Sequence, residues 1–302
     1  MQSLATLLIA ATFALPAEAP TATSASGDAT ESVADIEAAL SAWDGSCKKK
    51  GAHGLCVQVT PPASKAPAGR CAPRRLGAID VRSRGKRGQA AYKKLAAAVA
   101  KAEALPDPSD TDDKAALAAA LAQGKIALLD HDMESFLALT MPADLDFFVE
   151  EWKKDSGVAK WQAQYERQVA KKEASVKKFK TFFDAKTKLG AELMKDFAAL
   201  KKYDDGQVVI EAALKTAWLS QNMADELSAA PIPKSLDKAE VKEADCDALE
   251  DQAEAPQKMA KEALVYCTNK ATEAKITGDA VDACNELLTR YPKAKAEAAE
   301  TK

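Results

Sequence analysis

The sequence is poor in aromatic residues and histidine, and it lacks the short motifs that mark several enzyme classes. Phe, Trp and Tyr make up 6% of the 302 residues, and histidine occurs twice. The chain contains no G-x-x-x-x-G-K-[ST] phosphate loop, no G-x-S-x-G nucleophile turn and no H-E-x-x-H zinc motif. These absences remove the usual signatures of nucleotide hydrolysis, serine hydrolysis and zinc proteolysis. We therefore expect a protein that is not an enzyme, with no catalytic residue and no cofactor.

Neither histidine lies in a strong metal-binding or catalytic pattern. His131 and Glu134 are three positions apart, which places them on one face of a predicted helix and makes a weak metal pair. No second pair of this kind lies nearby in the sequence. His53 lies in a glycine-rich loop between two cysteines. We expect a solvated or locally bonded His131, a loop role for His53 and no metal site; a hydrolase or metal enzyme that uses His131 is the alternative.

Long apolar runs are also lacking, and the one at the N-terminus is too short to span a membrane. Residues 4–15 form an apolar run of 12, whereas a spanning helix needs about 20. Ala17-Glu18-Ala19 fits a small-x-small cleavage site, so we predict a signal peptide over residues 1–19, with processing between about Ala19 and Gly27. The alternative is a buried N-terminal helix. Residues 20–31 are rich in Ala, Ser and Thr and predict a disordered leader.

The six cysteines predict disulfides in a periplasmic or secreted protein. No C-x-x-C pair occurs, and the spacings fit no zinc template. Disulfides persist in oxidising compartments, which agrees with the predicted export. Six cysteines allow 15 pairings, so spacing alone does not fix the connectivity.

Positive charge is concentrated in one segment near the N-terminus. From Cys47 to Lys94 there are 13 Lys or Arg and one acid, a net charge of +12, whereas the whole chain carries −3. The segment either docks on the acidic helices of its own chain or meets an anionic polymer or membrane surface. The lack of interleaved aromatics and the pI of about 5.7 argue against nucleic acid. The candidate patch consists of Lys48, Lys49, Lys50, Arg70, Arg74, Arg75, Arg82, Arg84, Lys86 and Arg87.

Hydrophobic periodicity predicts a largely helical chain with one small hairpin. Alternating residues at 55–60 and 76–82 predict two short strands, and residues 158–202 predict one helix about 65 Å long. We expect a basic, cysteine-containing head at 32–88, a helical body at 89–295 and a tail at 296–302. The other predicted helices cover 32–43, 89–104, 111–140, 143–155, 207–229, 257–276 and 279–290.

The C-terminal half contains three recognisable motifs: an Ala-rich helix from residues 212–217 through Leu227, the turn Ala230-Pro231-Ile232-Pro233 with Leu236, and Cys267 and Cys284 followed by Tyr291-Pro292. With these motifs, roughly residues 90–295 resemble TPR-like helical cell-envelope proteins of myxobacteria, including periplasmic members of the gliding-motility machinery. The motifs are structural and carry no catalytic residue. The resemblance implies an all-α fold of TPR-like, α-solenoid helical hairpins, here with one long helix and a small disulfide-bearing N-terminal β-hairpin.

The resemblance and the predicted hairpin turn together suggest a disulfide between Cys267 and Cys284. The turn near Gly278 puts these two cysteines on adjacent antiparallel arms, and the resemblance places one cysteine on each arm. Of the three head cysteines, Cys47, Cys56 and Cys71, two are expected to pair locally and the third to pair with Cys246. The resemblance also implies a non-catalytic scaffold or interaction protein whose partners are envelope proteins. The alternative function is the binding of anionic envelope polymer or membrane surface through the basic head.

Overall fold

Helices make up most of the structure, a computed structural model that describes residues 26–48, 51–149, 158–232 and 239–291. The predicted signal peptide and the tail at 296–302 lie outside these residues. The described part contains seven α-helices, one 3-10 turn and one two-stranded antiparallel sheet. The elements are α1 Ser26–Asp44, β1 Val57–Thr60, β2 Ala78–Val81, α2 Gly85–Glu103, α3 Thr111–Ala138, α4 Val158–Ala199, the 3-10 turn Leu200–Tyr203, α5 Gly206–Ser228, α6 Ala239–Ala274 and α7 Asp279–Leu288.

Side-chain caps fix where two of the central helices begin. The Asp110 carboxylate accepts hydrogen bonds from the backbone N–H groups of Asp112 and Asp113, at 2.9 and 3.1 Å, and starts α3. Asp205 caps α5 in the same way through the N–H of Val208, at 3.0 Å. Each cap satisfies donors that the first helical turn leaves without an intrahelical partner. The sequence therefore determines these helix starts locally.

The predicted hairpin and the predicted long helix are both confirmed. Val57 lies opposite Val81 and Thr60 opposite Ala78 in the sheet. Helix α4 is continuous over 42 residues and leads directly into the 3-10 turn that ends at Tyr203. The coarse prediction of a helical chain with a small disulfide-bearing hairpin is therefore correct.

The predicted helix at 143–155 is wrong over residues 143–149, which contain no helix. Asp146 bonds instead to the long helix: its N–H donates to the Ser175 hydroxyl at 2.9 Å, and its carboxylate accepts from Lys171 at 2.7 Å. The same carboxylate accepts the N–H of Phe148, at 3.2 Å. Such side-chain bonds compete with the helical backbone ladder. The rest of that predicted helix lies outside the described residues.

Two other boundaries differ because tertiary packing extends a helix. Residues 26–31, predicted as part of a disordered leader, belong to α1, where Ala29 is buried in the same cluster as Ile36. Helix α6 begins at Ala239 and passes through Pro256, where the sequence predicted a start at 257. Ala253 and Ala260 are both fully buried on either side of that proline. Burial of this face keeps the helix regular where local propensity would end it.

Helix α5 forms the centre of the main core. Its apolar residues, such as Leu214 and Leu219, are buried in one cluster with residues of α3, α4, α6 and α7. A second cluster joins α1, α2 and α3. Gly124 on α3 allows the close approach of α2, because a Cβ there would lie 2.6 Å from a methyl of Val99. Helix α5 is thus packed against α3, α4, α6 and α7, and the described surface between α4 and α6 lies above it.

Three disulfides link the described elements. They join Cys47 to Cys56, Cys71 to Cys246 and Cys267 to Cys284, with Cα–Cα distances of 5.6, 5.2 and 6.4 Å. The predicted Cys267–Cys284 bond is confirmed, as is a local bond in the head with the third head cysteine reaching Cys246. Three disulfides fit an oxidising, exported environment. None of the helices in the described ranges is both long and apolar enough to cross a membrane.

Candidate functional site

Three arginines of the predicted basic patch contact the C-terminal end of α5 or Tyr291, which follows α7. They lie on residues 69–76, which we call the strap. Arg70 donates to the carbonyl of Ala229 at 2.7 Å, and Arg74 forms a 2.7 Å ion pair with Glu226. The Arg75 guanidinium lies 5.2 Å from the centre of the Tyr291 ring. These three side chains thus hold the strap to its own chain.

The strap is also held through its backbone by a buried carboxylate of α5. Asp225 accepts the N–H groups of Arg75 and Leu76, at 2.9 and 2.8 Å, and a third bond from the Gln221 amide at 2.7 Å. Burial raises the pKa of Asp225, and the hydrogen bonds act against that shift. Helix α5 therefore carries polar residues on a buried face because the strap supplies their partners.

A fourth patch arginine, Arg84, is nearly buried and links the head to α3 through hydrogen bonds and an ion pair. It pairs with Glu134 at 2.7 Å and donates to the carbonyls of Trp43 and Gly54, each at 2.8 Å. Its guanidinium carbon lies 3.7 Å from the centre of the Trp43 ring. Glu134 also accepts the N–H of Cys56, at 2.7 Å. Glu134 is therefore an internal ion-pair partner and does not face a metal position with His131.

His131 lies on the same helix but bonds locally. Its Nδ1 lies 3.1 Å from a carboxylate oxygen of Asp132, and its ring packs on Tyr92 with 4.4 Å between centroids. Within the described residues, no group of three or more His, Cys, Asp or Glu side chains is arranged to hold a metal ion.

The remaining patch residues lie apart from these internal contacts. Lys48, Lys86 and Arg87 are exposed, and Arg82 bonds to the side chain of Gln58 on the neighbouring strand. Lys49 and Lys50 lie outside the described residues. The eight cations of the patch that lie in the described residues are therefore divided between internal contacts and solvent, and binding of an anionic partner stays a prediction.

A buried cluster of charges was not predicted. It lies below residues 51–55, which we call the head loop. Lys215 of α5 bonds to Asp130 of α3 and, at 2.7 Å, to Glu211. The His53 ring packs edge-on against Trp218, 5.4 Å between centroids, above this cluster. Asp130 and Lys215 are 85 positions apart in the sequence, so no local pattern predicted the pair. The available signal was a charged residue on the apolar face of each helix, which indicates a paired charge.

The pKa values of this cluster shift because of burial and because two acids share one lysine. Burial raises the pKa of Asp130 to about 7, against the opposing attraction of Lys215. Burial acts to lower the pKa of Lys215, but Asp130 and Glu211 outweigh it and raise that pKa. Burial, followed by the charge of Lys215, lowers the pKa of His53. Lys215 pairs with both acids, and a Cβ at Gly54 would lie 2.7 Å from Asp130, so the head loop lies directly on the cluster.

The most site-like surface is an open apolar channel above α5, between α4 and α6. It contains three adjoining cavities, of about 430, 270 and 230 Å³. The first and the second share Met194 and Met259, and the second and the third share Gln252. We call this channel the groove; in the first two cavities α5 forms its floor, α4 one wall and α6 the other. The third cavity lies beyond the end of α5, and Met141, Leu145 and Phe147 of the segment after α3 line it together with α6.

Both walls of the groove run antiparallel to the floor. Near the start of α5, the first cavity brings Val209 together with Phe197 of α4 and Tyr266 of α6. Near the end of α5, the third cavity is lined by Phe179 and Asp245, which lie much earlier in the same two helices. Helices α4 and α6 are therefore parallel to each other.

The middle cavity is almost purely apolar, although a lysine lies in its wall. Lys186 is buried, and its ammonium donates to the carbonyls of Phe136 and Leu139 at 2.9 and 2.6 Å, at the end of α3. Burial lowers its pKa to about 8. Gly190 lets α4 lie close to its neighbours, because a Cβ there would be 3.2 Å from the Phe136 ring. The Lys186 ammonium thus caps the C-terminal carbonyls of α3, and the cavity remains apolar.

The two walls carry opposite charge. Helix α4 has ten Lys or Arg and five acids, a net charge of +5. Helix α6 has nine acids and four lysines, a net charge of −5. Charged residues in the lining follow this division, with Lys201 just after α4 and Asp245 and Glu262 on α6. Large apolar side chains are exposed at the α6 edge, with Met259 43% and Tyr266 46% exposed.

The fold and the groove define a class: a disulfide-linked helical protein with an open apolar channel between walls of opposite charge. No protein-family model, no curated protein and no solved structure matches the chain.

Proposed function

We propose that this chain is a non-catalytic, periplasmic or secreted helical scaffold that binds a partner protein in the groove. The single observation that carries this proposal is the row of adjoining apolar cavities along α5 and beyond its end, edged by exposed Met259 and Tyr266. Connected apolar surface of this kind marks interaction sites. Flexible methionines at the junction of two cavities suit a surface that adapts to partner side chains.

Export and a TPR-like arrangement are part of this proposal. The three disulfides support an oxidising compartment. The alternating directions of α4, α5 and α6 support a TPR-like stack, since such arrays are built from antiparallel helices packed in chain order. The resemblance to myxobacterial envelope proteins supplies the expectation that the partner belongs to the cell envelope.

The test is capture of envelope proteins by the wild-type chain and two matched variants. Met259→Glu puts a charge into the groove, whereas Val265→Glu puts the same charge on the same helix, outside the cavities. The two residues are similarly exposed, at 43% and 39%. We expect a discrete set of proteins that wild type and Val265→Glu retain and Met259→Glu loses. Equal retention by all three would show that the groove does not bind the partner.

Binding of an anionic surface through the head is the second candidate. Lys86 and Arg87 are exposed in the first turn of α2, where the helix dipole favours negative charge. This placement leaves positive potential that an anion would relieve. Co-sedimentation with anionic vesicles at low and high salt tests it. Binding that Lys86→Ala/Arg87→Ala removes supports this candidate; sedimentation independent of salt and of both residues contradicts it.

A further inference from the structure

We infer that the groove receives an amphipathic helix of the partner protein, which completes a four-helix bundle with α4, α5 and α6. This inference rests on the proposed function, because it names the chemistry of the partner segment. The three helices already occupy three corners of such a bundle: α5 as the floor and α4 and α6 as parallel walls. Among the described residues, no helix occupies the corner opposite α5, which is the groove.

The dimensions of the groove suit a helix of about 20 residues. The first two cavities follow α5 from Val209 to Leu227, and the third continues beyond its end at Pro231, beside Met141 and Phe147. Helix α5 has 23 residues and is therefore about 35 Å long. Neighbouring helices in bundles pack with their axes about 8–10 Å apart, so the new helix would pack on both walls and face the floor across the core of the bundle.

The directions of the walls determine the favoured direction of the bound helix. Because α4 and α6 are parallel, their dipoles point the same way. A helix antiparallel to both walls opposes both dipoles favourably, and it runs parallel to α5. The structure therefore favours a bound segment whose N-terminus lies near Val209 and whose C-terminus lies near Pro231.

The charges of the walls determine the flanks of the bound helix. The net charge of +5 on α4, with Lys201 at the end of that wall, favours an acidic flank toward α4. Asp245 and Glu262 in the lining favour a basic flank toward α6. A helix with two flanks of one sign would meet one wall of like charge. Its third face is apolar, because the middle cavity of about 270 Å³ takes large apolar side chains.

The experiment compares three synthetic helical peptides of 20 residues with one shared Leu/Phe face. One has an acidic and a basic flank, arranged to match the walls when the peptide is parallel to α5; the others have two acidic or two basic flanks. Binding to the full chain is measured by fluorescence anisotropy at low and high salt. We expect the split-flank peptide to bind at least about 10-fold tighter than either control, through several rim ion pairs, with the advantage reduced by salt. Equal or tighter binding of a uniform peptide overturns the inference.

Two protein variants and two photo-cross-linking peptides test whether the peptide binds in the groove and in which direction. Met259→Glu should weaken the split-flank peptide at least about 10-fold, and Val265→Glu should leave it unchanged. A photo-cross-linker at the N-terminus of the peptide should label α6 around Met259 and Tyr266, and one at its C-terminus should label the region of Asp245. The reverse labelling overturns the parallel orientation.

The outcomes separate this inference from the proposed function. If no peptide binds while protein capture still depends on Met259, the helix inference fails and the proposed function stands. If capture does not depend on Met259, the proposed function fails. If sedimentation shows a dimer that Met259→Glu dissociates, the occupant is a second copy of this chain and the inference is wrong. If deletion of residues 1–25 alone frees the groove for peptide, the occupant of the intact chain is its own N-terminal segment, which also overturns it.

Discussion

Cys71 in the strap is bonded to Cys246 on α6, so the acidic wall of the groove is covalently joined to the head. The two Cα atoms are 5.2 Å apart across a separation of 175 positions. The strap is in turn held to the end of α5 by Asp225 and Glu226. The wall and the floor, which also pack directly on each other, are therefore linked a second time through the head, beside the third cavity.

The first prediction concerns this bond. Replacing both cysteines, Cys71→Ser with Cys246→Ser, should lower the free energy of unfolding by about 2–4 kcal/mol, because the bond closes a very long loop of the unfolded chain. Urea unfolding measures the change. The control is Cys267→Ser with Cys284→Ser, which opens a loop of 17 positions and should leave the strap in place. The prediction fails if the first double variant is as stable as wild type.

Regular elements were predictable from the sequence wherever their pattern is local. The alternation around Val57 and Val81 predicted the hairpin, and the apolar spacing of α4 predicted one long helix. The start of α3 followed from an aspartate before the helix, since the cap involves only nearby residues. Each of these features depends on a short stretch of chain.

Features that depend on distant partners were not predictable. The Asp130–Lys215 pair joins two helices 85 positions apart, and the strap meets α5 across about 150. Helix α6 continues through Pro256 because Ala253 and Ala260 are buried against α5, which no local pattern contains. The groove is likewise a product of how α4 and α6 pack on α5. The cation segment was evident from composition, but its division between internal contacts and solvent was not.

The second prediction concerns the Arg84–Glu134 pair. Arg84→Ala should lower the free energy of unfolding by about 3–5 kcal/mol, because it leaves the Glu134 carboxylate nearly buried without its counter-charge. Arg84→Lys should recover only part of the loss, since lysine lacks the planar fork that reaches several acceptors at once. Urea unfolding measures both variants. Arg87→Ala, at an exposed position, is the control and should change stability by less than about 0.5 kcal/mol. Equal stabilities of Arg84→Ala and Arg87→Ala would contradict the internal role of Arg84.

The third prediction concerns pH and Asp130. Burial raises its pKa from 3.8 to about 7 in the folded protein, in a setting where Glu211 and Glu134 add negative charge and Lys215 stays protonated. Between about pH 4 and 7 the folded state therefore binds more protons at this site than the unfolded state. The contribution of Asp130 to stability must fall as pH rises through that window.

Asp130→Asn isolates this contribution, because it removes the titration while keeping a side chain of the same shape. The unfolding free energy of wild type minus that of the variant should decrease between pH 4.5 and 7, with a slope of at most about 1.4 kcal/mol per pH unit. Urea unfolding of both proteins at matched pH values gives the difference. A difference that is flat or that increases with pH would show that Asp130 does not take up a proton on folding.

The last prediction uses two glycines with similar backbones and different surroundings. Gly54 has φ of 80° and Gly69 has φ of 74°, both in the left-handed region that side chains other than glycine disfavour. A Cβ at Gly69 meets no atom within 4 Å, whereas a Cβ at Gly54 would lie 2.7 Å from a carboxylate oxygen of Asp130. Gly69→Ala should therefore lose only about 1–2 kcal/mol of stability from the backbone. Gly54→Ala should lose about 1–3 kcal/mol more, because the loop must move away from the buried Asp130–Lys215 pair and disturb it. Thermal or urea unfolding compares the two. If the two alanine variants are equally stable, the head loop is not seated on the charged cluster, and the head is held to the helices by the Cys71–Cys246 bond, the strap and the Arg84–Glu134 network.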